Sequence, residues 1–220
     1  MSNNQGEVVI TRDIKILVIG RSGSGKTSFI SKWVKNEFSE TYKATIVSEF
    51  SQKIIKNNEK CYRIQLWDLA GQDRNVQIAK NFSKDSQGCL VMAEVNDKVS
   101  LEETIKWKNT IDEIETFEDG EKLPCVLLEN KVDMLDESKV NDMDELNIFC
   151  KNNGFVNCFR TSAKTGYNVN ESMDFLIQEI IRRIEAMSSK ELNSNRNTVA
   201  IDPDKHADID KLRKKQTGCC

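Results

Sequence analysis

No apolar run in the chain approaches the ~20 residues of a membrane-spanning helix, which excludes an ordinary helical span. Met1 to Ile10 lack the basic start and apolar stretch of a signal peptide. Residue 2 is Ser rather than Gly, so the start does not suit myristoylation. One histidine is present, His206, inside a polar stretch, which argues against histidine catalysis or a histidine metal site. The formal net charge of -3 carries no basic excess, so no nucleic-acid partner is expected. Of seven cysteines, Cys61, Cys89, Cys125, Cys150 and Cys158 stand singly in apolar segments. They have neither zinc nor disulfide spacing and read as small buried hydrophobes in a reducing compartment. Cys219 and Cys220 differ, being the last two residues.

What is present fits one domain with a tail: 220 residues, 38% hydrophobic and 30% charged. Ile14–Ile19 reads as a buried strand, followed by a Gly/Ser-rich loop and a helix from about Lys26 to Val34. Glu49–Ile55 and Cys61–Trp67 read as strands joined by a hairpin at Asn57-Asn58, since Asn tolerates the left-handed conformation. Cys89–Val95 and Cys125–Leu128 are further strands, and Phe159 begins a short last one. Helices are expected over Leu101–Phe117, with Ser100 and Glu103 as a capping box, and over Asp142–Asn152, ending at Gly154. A final helix spans about Glu171 to Met187, with Met173, Leu176, Ile177, Ile180, Ile181 and Ile184 as its inner stripe. Alternating strands and helices predict an α/β domain with a six-stranded, mostly parallel sheet covered on both faces. The expected divisions are a flexible start at 1–11, the domain at 12–187 and a flexible tail at 188–220.

Gly20-x-x-x-x-Gly25-Lys26-Thr27 has the spacing of a phosphate-binding loop and lies between a strand and a helix. Glycines such as Gly23 and Gly25 let backbone N–H groups, including that of Ser24, turn inward around phosphate oxygens. Lys26 would reach the β- and γ-phosphates and Thr27 would bind Mg²⁺. The loop alone leaves ATPase, kinase and GTPase open.

Two strand ends narrow the base. Asn130-Lys131-Val132-Asp133 follows the Cys125 strand, at the edge where α/β sheets bind ligands. The Asp133 carboxylate can accept from guanine N1–H and its 2-amino group, donors that adenine lacks. Lys131 would lay its stem along the base. Thr161-Ser162-Ala163-Lys164 follows the last strand, where the Ala163 N–H can recognise the guanine O6.

Asp68-Leu69-Ala70-Gly71-Gln72 follows the third strand. Asp68 would hold Mg²⁺ through water, the Gly71 N–H would bond the γ-phosphate, and Gln72 would orient the attacking water. Thr45, after the first helix, is the other candidate Mg²⁺ ligand. Loss of the γ-phosphate would release Thr45 and Gly71 and relax both loops.

Together these elements resemble the Rab proteins of the Ras superfamily over residues 12–187 and the final two residues. Trp67-Asp68-Leu69-Ala70-Gly71-Gln72-Asp73-Arg74 is close to the Rab sequence Trp-Asp-x-Ala-Gly-Gln-Glu-Arg. The resemblance implies a slow GTPase with GTP or GDP and Mg²⁺ bound, and an aromatic contact to guanine from Phe38. It adds Ser22, Ser28 and Tyr42 to the nucleotide-contacting set. Phe50, Trp67 and Phe82 match the aromatic cluster that Rabs present to effectors. Trp107-Lys108, Leu127-Leu128, Phe149-Cys150-Lys151 and Gly154-Phe155 resemble the branch serving lysosome-related organelles. Val47, Asn75, Val76, Ser83 and Glu129 depart from the usual Rab pattern; none removes an atom that hydrolysis needs.

The resemblance also implies partners: an exchange factor, a GTPase-activating protein, a prenylation escort and a GDP-dissociation inhibitor. Lys211-Leu212-Arg213-Lys214-Lys215 precedes Gly218-Cys219-Cys220, which matches the Rab signal for two geranylgeranyl groups on Cys219 and Cys220. Two lipids anchor stably where one binds reversibly. The expected location is the cytoplasmic face of intracellular membranes, in exchange with the cytosol. Two other readings stay open at this point: a GTP-bound scaffold that does not hydrolyse, and a P-loop kinase or ATPase.

Overall fold

Ile16, Leu17, Val18 and Ile19 are consecutive and fully buried. A strand whose neighbouring side chains are all buried must be covered on both faces. This strand, β1 (Arg12–Gly20), lies at the middle of a six-stranded sheet in a computed structural model that describes residues 9–41, 43–71 and 81–197, with side chains to 190. The elements follow as α1 (Lys26–Lys35), β2 (Ser48–Asn57), β3 (Lys60–Leu69), β4 (Gly88–Glu94), α2 (Lys98–Ile114), β5 (Cys125–Asn130), α3 (Glu137–Val140), α4 (Asp144–Asn152), β6 (Asn157–Thr161) and α5 (Val169–Asn197). Tyr42, Gln72 through Val76, Cys219 and Cys220 lie outside the described residues.

The sheet order is β2-β3-β1-β4-β5-β6. Every pairing is parallel except the β2–β3 hairpin. Asn58 at its turn has φ 54, the left-handed backbone expected of an Asn there. Parallel strands present all their C-terminal ends on one edge, so the loops after β1, β3, β5 and β6 gather there. On the other side of this logic, α5 lays Met173, Leu176, Ile177, Ile180 and Ile181 into the core. A Cβ on Gly88 would fall 2.7 Å from Ile180 Cδ1, so β4 and α5 touch through the missing side chain.

Three expected boundaries differ. The N-cap of α2 is Asp97, whose carboxylate accepts from the Ser100 N–H at 3.0 Å. Ser100 instead accepts from the Glu94 N–H, at 3.1 Å, so its hydroxyl serves β4 rather than a capping box. Asp and Ser are both good caps, and only the position of β4 decided between them. The helix also stops at Ile114, before the buried Phe117.

At the other end, residues from Ser188 were expected to be flexible, yet α5 runs to Asn197. The apolar stripe marks what is buried, not what is helical. Once a helix is nucleated, each added residue gains one bond for one residue fixed. Ser188 and Ser189 hydroxyls donate back to the carbonyls of Ile184 and Glu185 at 3.1 and 2.9 Å. The described residues divide into two units, one up to Arg182 and one from Arg183 on. The first holds the sheet; the described part of the second is the end of α5. No described helix is long and apolar enough to cross a membrane.

Candidate functional site

β1 ends at Gly20, where φ is 136 and a Cβ would lie 2.1 Å from the Met92 carbonyl oxygen. The chain then turns through Gly23 (φ 85) to Gly25 (φ 93), the left-handed N-cap of α1. Side chains seldom adopt such angles, so the loop needs glycine for its shape. Lys26, the first residue of α1, folds back over this loop. Its ammonium donates to the carbonyls of Gly20 and Arg21 at 2.9 and 3.0 Å. Burial lowers its pKa to about 8, against the opposing pull of Asp68.

Three oxygens meet beside Lys26, from three separate elements. Thr27 Oγ1 stands 3.0 Å from Thr45 Oγ1, and both hydroxyls bond Asp68 Oδ2. Asp68 is 1% exposed, and its buried Oδ1 has no hydrogen-bond partner among the described residues. Burial raises its pKa, while the Thr27 hydroxyl and Lys26 pull it down. A buried acceptor without a donor is costly, and a set of hard oxygens suits a hard divalent cation. These residues therefore fit Mg²⁺.

At the far end, Asn130 is 1% exposed and its amide bonds the protein through both Nδ2 and Oδ1. Its Nδ2 donates to the Ser24 carbonyl at 2.9 Å. Its Oδ1 accepts from the Ala163 N–H and the Thr161 hydroxyl, both at 3.2 Å. One side chain thus fastens the phosphate loop to both strand-end loops. A Cβ on Gly25 would fall 2.3 Å from Asn130 Nδ2, so the glycine is also needed for this contact. The Ser162 hydroxyl donates to Asp133 Oδ1, and Lys131 (φ 70) pairs with Glu94 at 2.7 Å.

One cavity of about 400 Å³ joins these parts. Ser22, Gly23, Gly25, Lys26, Thr27 and Ser28 line it from the loop and α1. Phe38, Thr45, Gly71, Asn130, Lys131, Asp133, Ala163 and Lys164 line it from the other sides. Ser24, Ser162 and Asp68 stand behind the wall, where Ser24 and Ser162 shape the loops and Asp68 backs Thr27. Sequence reasoning missed Ser31, Ser39, Glu40, Thr41 and Lys43, which also face the cavity. Ser31 faces it from α1, while the polar loop bearing the other four carries no motif; its path over the pocket, with Glu40 3.3 Å from Lys164, is a tertiary fact.

On β2 and β3, Phe50 and Trp67 lie 5.3 Å apart between centroids in an edge arrangement, and Phe82 lies 5.4 Å from Trp67. Phe50 is 49% exposed. The three rings expected to form a cluster do so.

A family model described as the Ras family matches residues 15–182. The chain is 32% identical to Ras-related protein Rab-32 of Mus musculus over 207 residues, 94% of this chain and 89% of that protein. It is 38% identical to Ras-related protein Rab-32A of Dictyostelium discoideum over 170 residues, 76% of this chain and 78% of that protein. With Ras-related protein Rab-7L1 of Homo sapiens it shares 34% over 169 residues, 76% and 82% of the two chains. With this agreement along nearly the whole domain, the chain belongs to the Ras family, and within it to the Rab GTPases.

Proposed function

We propose that the chain is a Rab-type switch that binds GTP, hydrolyses it to GDP and phosphate, and recruits effectors to membranes in vesicular traffic. The observation that carries this reading is the single cavity shared by Lys26, Thr27, Asp133 and Ala163. A triphosphate needs one end of that cavity and a guanine the other.

Backbone N–H groups from Gly23 to Thr27 and the start of α1 receive the phosphates. Lys26, already desolvated, places its charge against them where water screens little. Asp133 accepts from guanine N1–H and the 2-amino group, the Ala163 N–H faces the O6, and Phe38 covers the base. Mg²⁺, held by Thr27 and Thr45 with Asp68 behind them, would neutralise charge on the β- and γ-phosphates. Gln72 orients the water whose oxygen joins the γ-phosphorus as the bond to the β–γ bridging oxygen breaks. GDP leaves with that bridging oxygen, and loss of the γ-phosphate releases Thr45 and Gly71.

Phe50, Trp67 and Phe82 form the effector-facing surface, and the regulators are those of the Rab type: exchange factor, activating protein, prenylation escort and GDP-dissociation inhibitor. Prenyl groups on Cys219 and Cys220 hold the protein to the cytoplasmic face of intracellular membranes. The test is to release the nucleotide from purified protein and identify it, then follow GTP turnover with Mg²⁺. Guanine nucleotide and slow turnover support the switch; adenine nucleotide bound equally well would overturn it.

A further inference from the structure

Glu129 and Arg160 face each other across the β5–β6 pairing, each one residue before a base-recognition loop. Arg160 Nε donates to Glu129 Oε2 at 2.8 Å, and the two side chains are 15% and 13% exposed. A second guanidinium nitrogen, Nη1, donates to the carbonyls of Lys139 and Asp142. The Arg160 carbonyl in turn accepts from Asn168 Nδ2 at 3.0 Å, which fixes the turn after the base loop.

We infer that Arg160, seated on Glu129, is a positioning residue for guanine recognition. This rests on the proposed reading of the pocket as a guanine-nucleotide site. The segment bearing Asp133 leaves β5 at Asn130 and passes through α3; at its far side the Lys139 and Asp142 carbonyls meet β6 through Arg160, and Asn141 Oδ1 accepts from the Tyr167 hydroxyl at 3.3 Å. The stretch bearing Ser162 and Ala163 begins at Thr161, the neighbour of Arg160 and the last residue of β6. One planar fork therefore ties both base-reading loops to the same point. Asn130 ties them from the pocket side and Arg160 from the outer side.

Chemistry favours this residue type. Arginine offers five donors in a rigid plane, enough for one carboxylate and two carbonyls. A lysine is a point donor on a flexible stem and does not reproduce that geometry. Glu129 orients the fork, and removing Arg160 would leave its carboxylate largely buried and unpaired.

The test compares GDP and IDP binding to the full chain and its Arg160→Lys and Arg160→Ala variants, with dissociation rates from a fluorescent GDP. IDP lacks the 2-amino group, so the GDP-to-IDP affinity ratio reports how well Asp133 is aimed. In both variants the ratio should fall by roughly tenfold, the equivalent of one hydrogen bond loosened, and GDP should leave faster. Should Arg160→Ala not fold, Arg160→Lys, which keeps the charge, and Glu129→Gln, which keeps an acceptor, carry the comparison; the ratio should fall further in the lysine variant. Variants that melt earlier but keep the wild-type ratio would show a structural role alone and overturn the inference. A wild-type chain with no preference for GDP over ADP would bring down the pocket reading as well, and that outcome is visible before any variant is made.

Discussion

The Ser22 N–H donates to the Gly71 carbonyl at 2.8 Å, binding the phosphate loop directly to the residue that follows β3 and Ala70. A Cβ on Gly71 would lie 2.4 Å from the Gly20 oxygen and 2.4 Å from the Ser22 nitrogen. Both neighbours are backbone and cannot swing aside. Gly71→Ala should therefore destabilise the protein by about 1–3 kcal/mol through overpacking and weaken GTP binding. Thermal melts and GTP titration check this; a variant matching wild type in both would show that the approach is looser than described.

Lys26 predicts a pH dependence of nucleotide binding. Its pKa is lowered to about 8, with burial as the main cause. An anionic phosphate favours the charged ammonium, so binding raises this pKa and takes up protons. The sign follows: affinity falls as pH rises through about 8, because the empty site then holds fewer protons than the filled one. Calorimetry of GDP binding with a chelator present, in buffers of different ionisation heat, should show proton uptake growing from about pH 7 to about pH 8. Proton release near the upper value would contradict the assignment.

Asn130→Ala would strip partners from the Ser24 carbonyl, the Ala163 N–H and the Thr161 hydroxyl. Leaving a buried polar group unsatisfied costs about 1–3 kcal/mol. The variant should melt earlier and release GDP faster, even though the lost bonds are within the protein. Unchanged release, read with a fluorescent GDP, would mean that the two loops hold their places without this link.

Gln72→Leu should abolish most of the acceleration given by an activating protein while leaving GTP affinity near wild type. Activating arginines contribute ~10³–10⁵ in rate, so the effect is large. Stimulated single-turnover hydrolysis is the measurement, and full stimulation of the variant would remove Gln72 from its role.

Replacing Cys219 and Cys220 with Ser should move the protein from membranes to cytosol. Stable anchoring takes two signals, and neither remains. Fractionation of cells expressing the variant decides; continued membrane attachment would require another anchor.

Some features were legible because they depend on near neighbours along the chain. A strand, a Gly20-to-Thr27 spacing and a helix form one local unit, and its conformation follows from glycine and Lys26 whatever surrounds it. The Asn58 turn and Gly154 (φ 71) past the end of α4 are equally local. Glu129, by contrast, stands in the sequence only as a departure from the usual Rab pattern. Arg160 lies 31 residues away, and only the β5–β6 register makes them partners.

The sequence by itself determined the family and the order of strands and helices, and it marked out the proposed phosphate loop and base-selecting carboxylate, since each rests on residue type at short, set spacings. Tertiary structure alone decided that Asn130 ties three loops together, that Glu40 reaches Lys164, that Asp97 rather than Ser100 caps α2, and that Arg160 answers Glu129. These are pairings between distant segments, and hydrogen bonds are directional. Which donor meets which acceptor is settled only once the sheet has brought the strand ends to one edge.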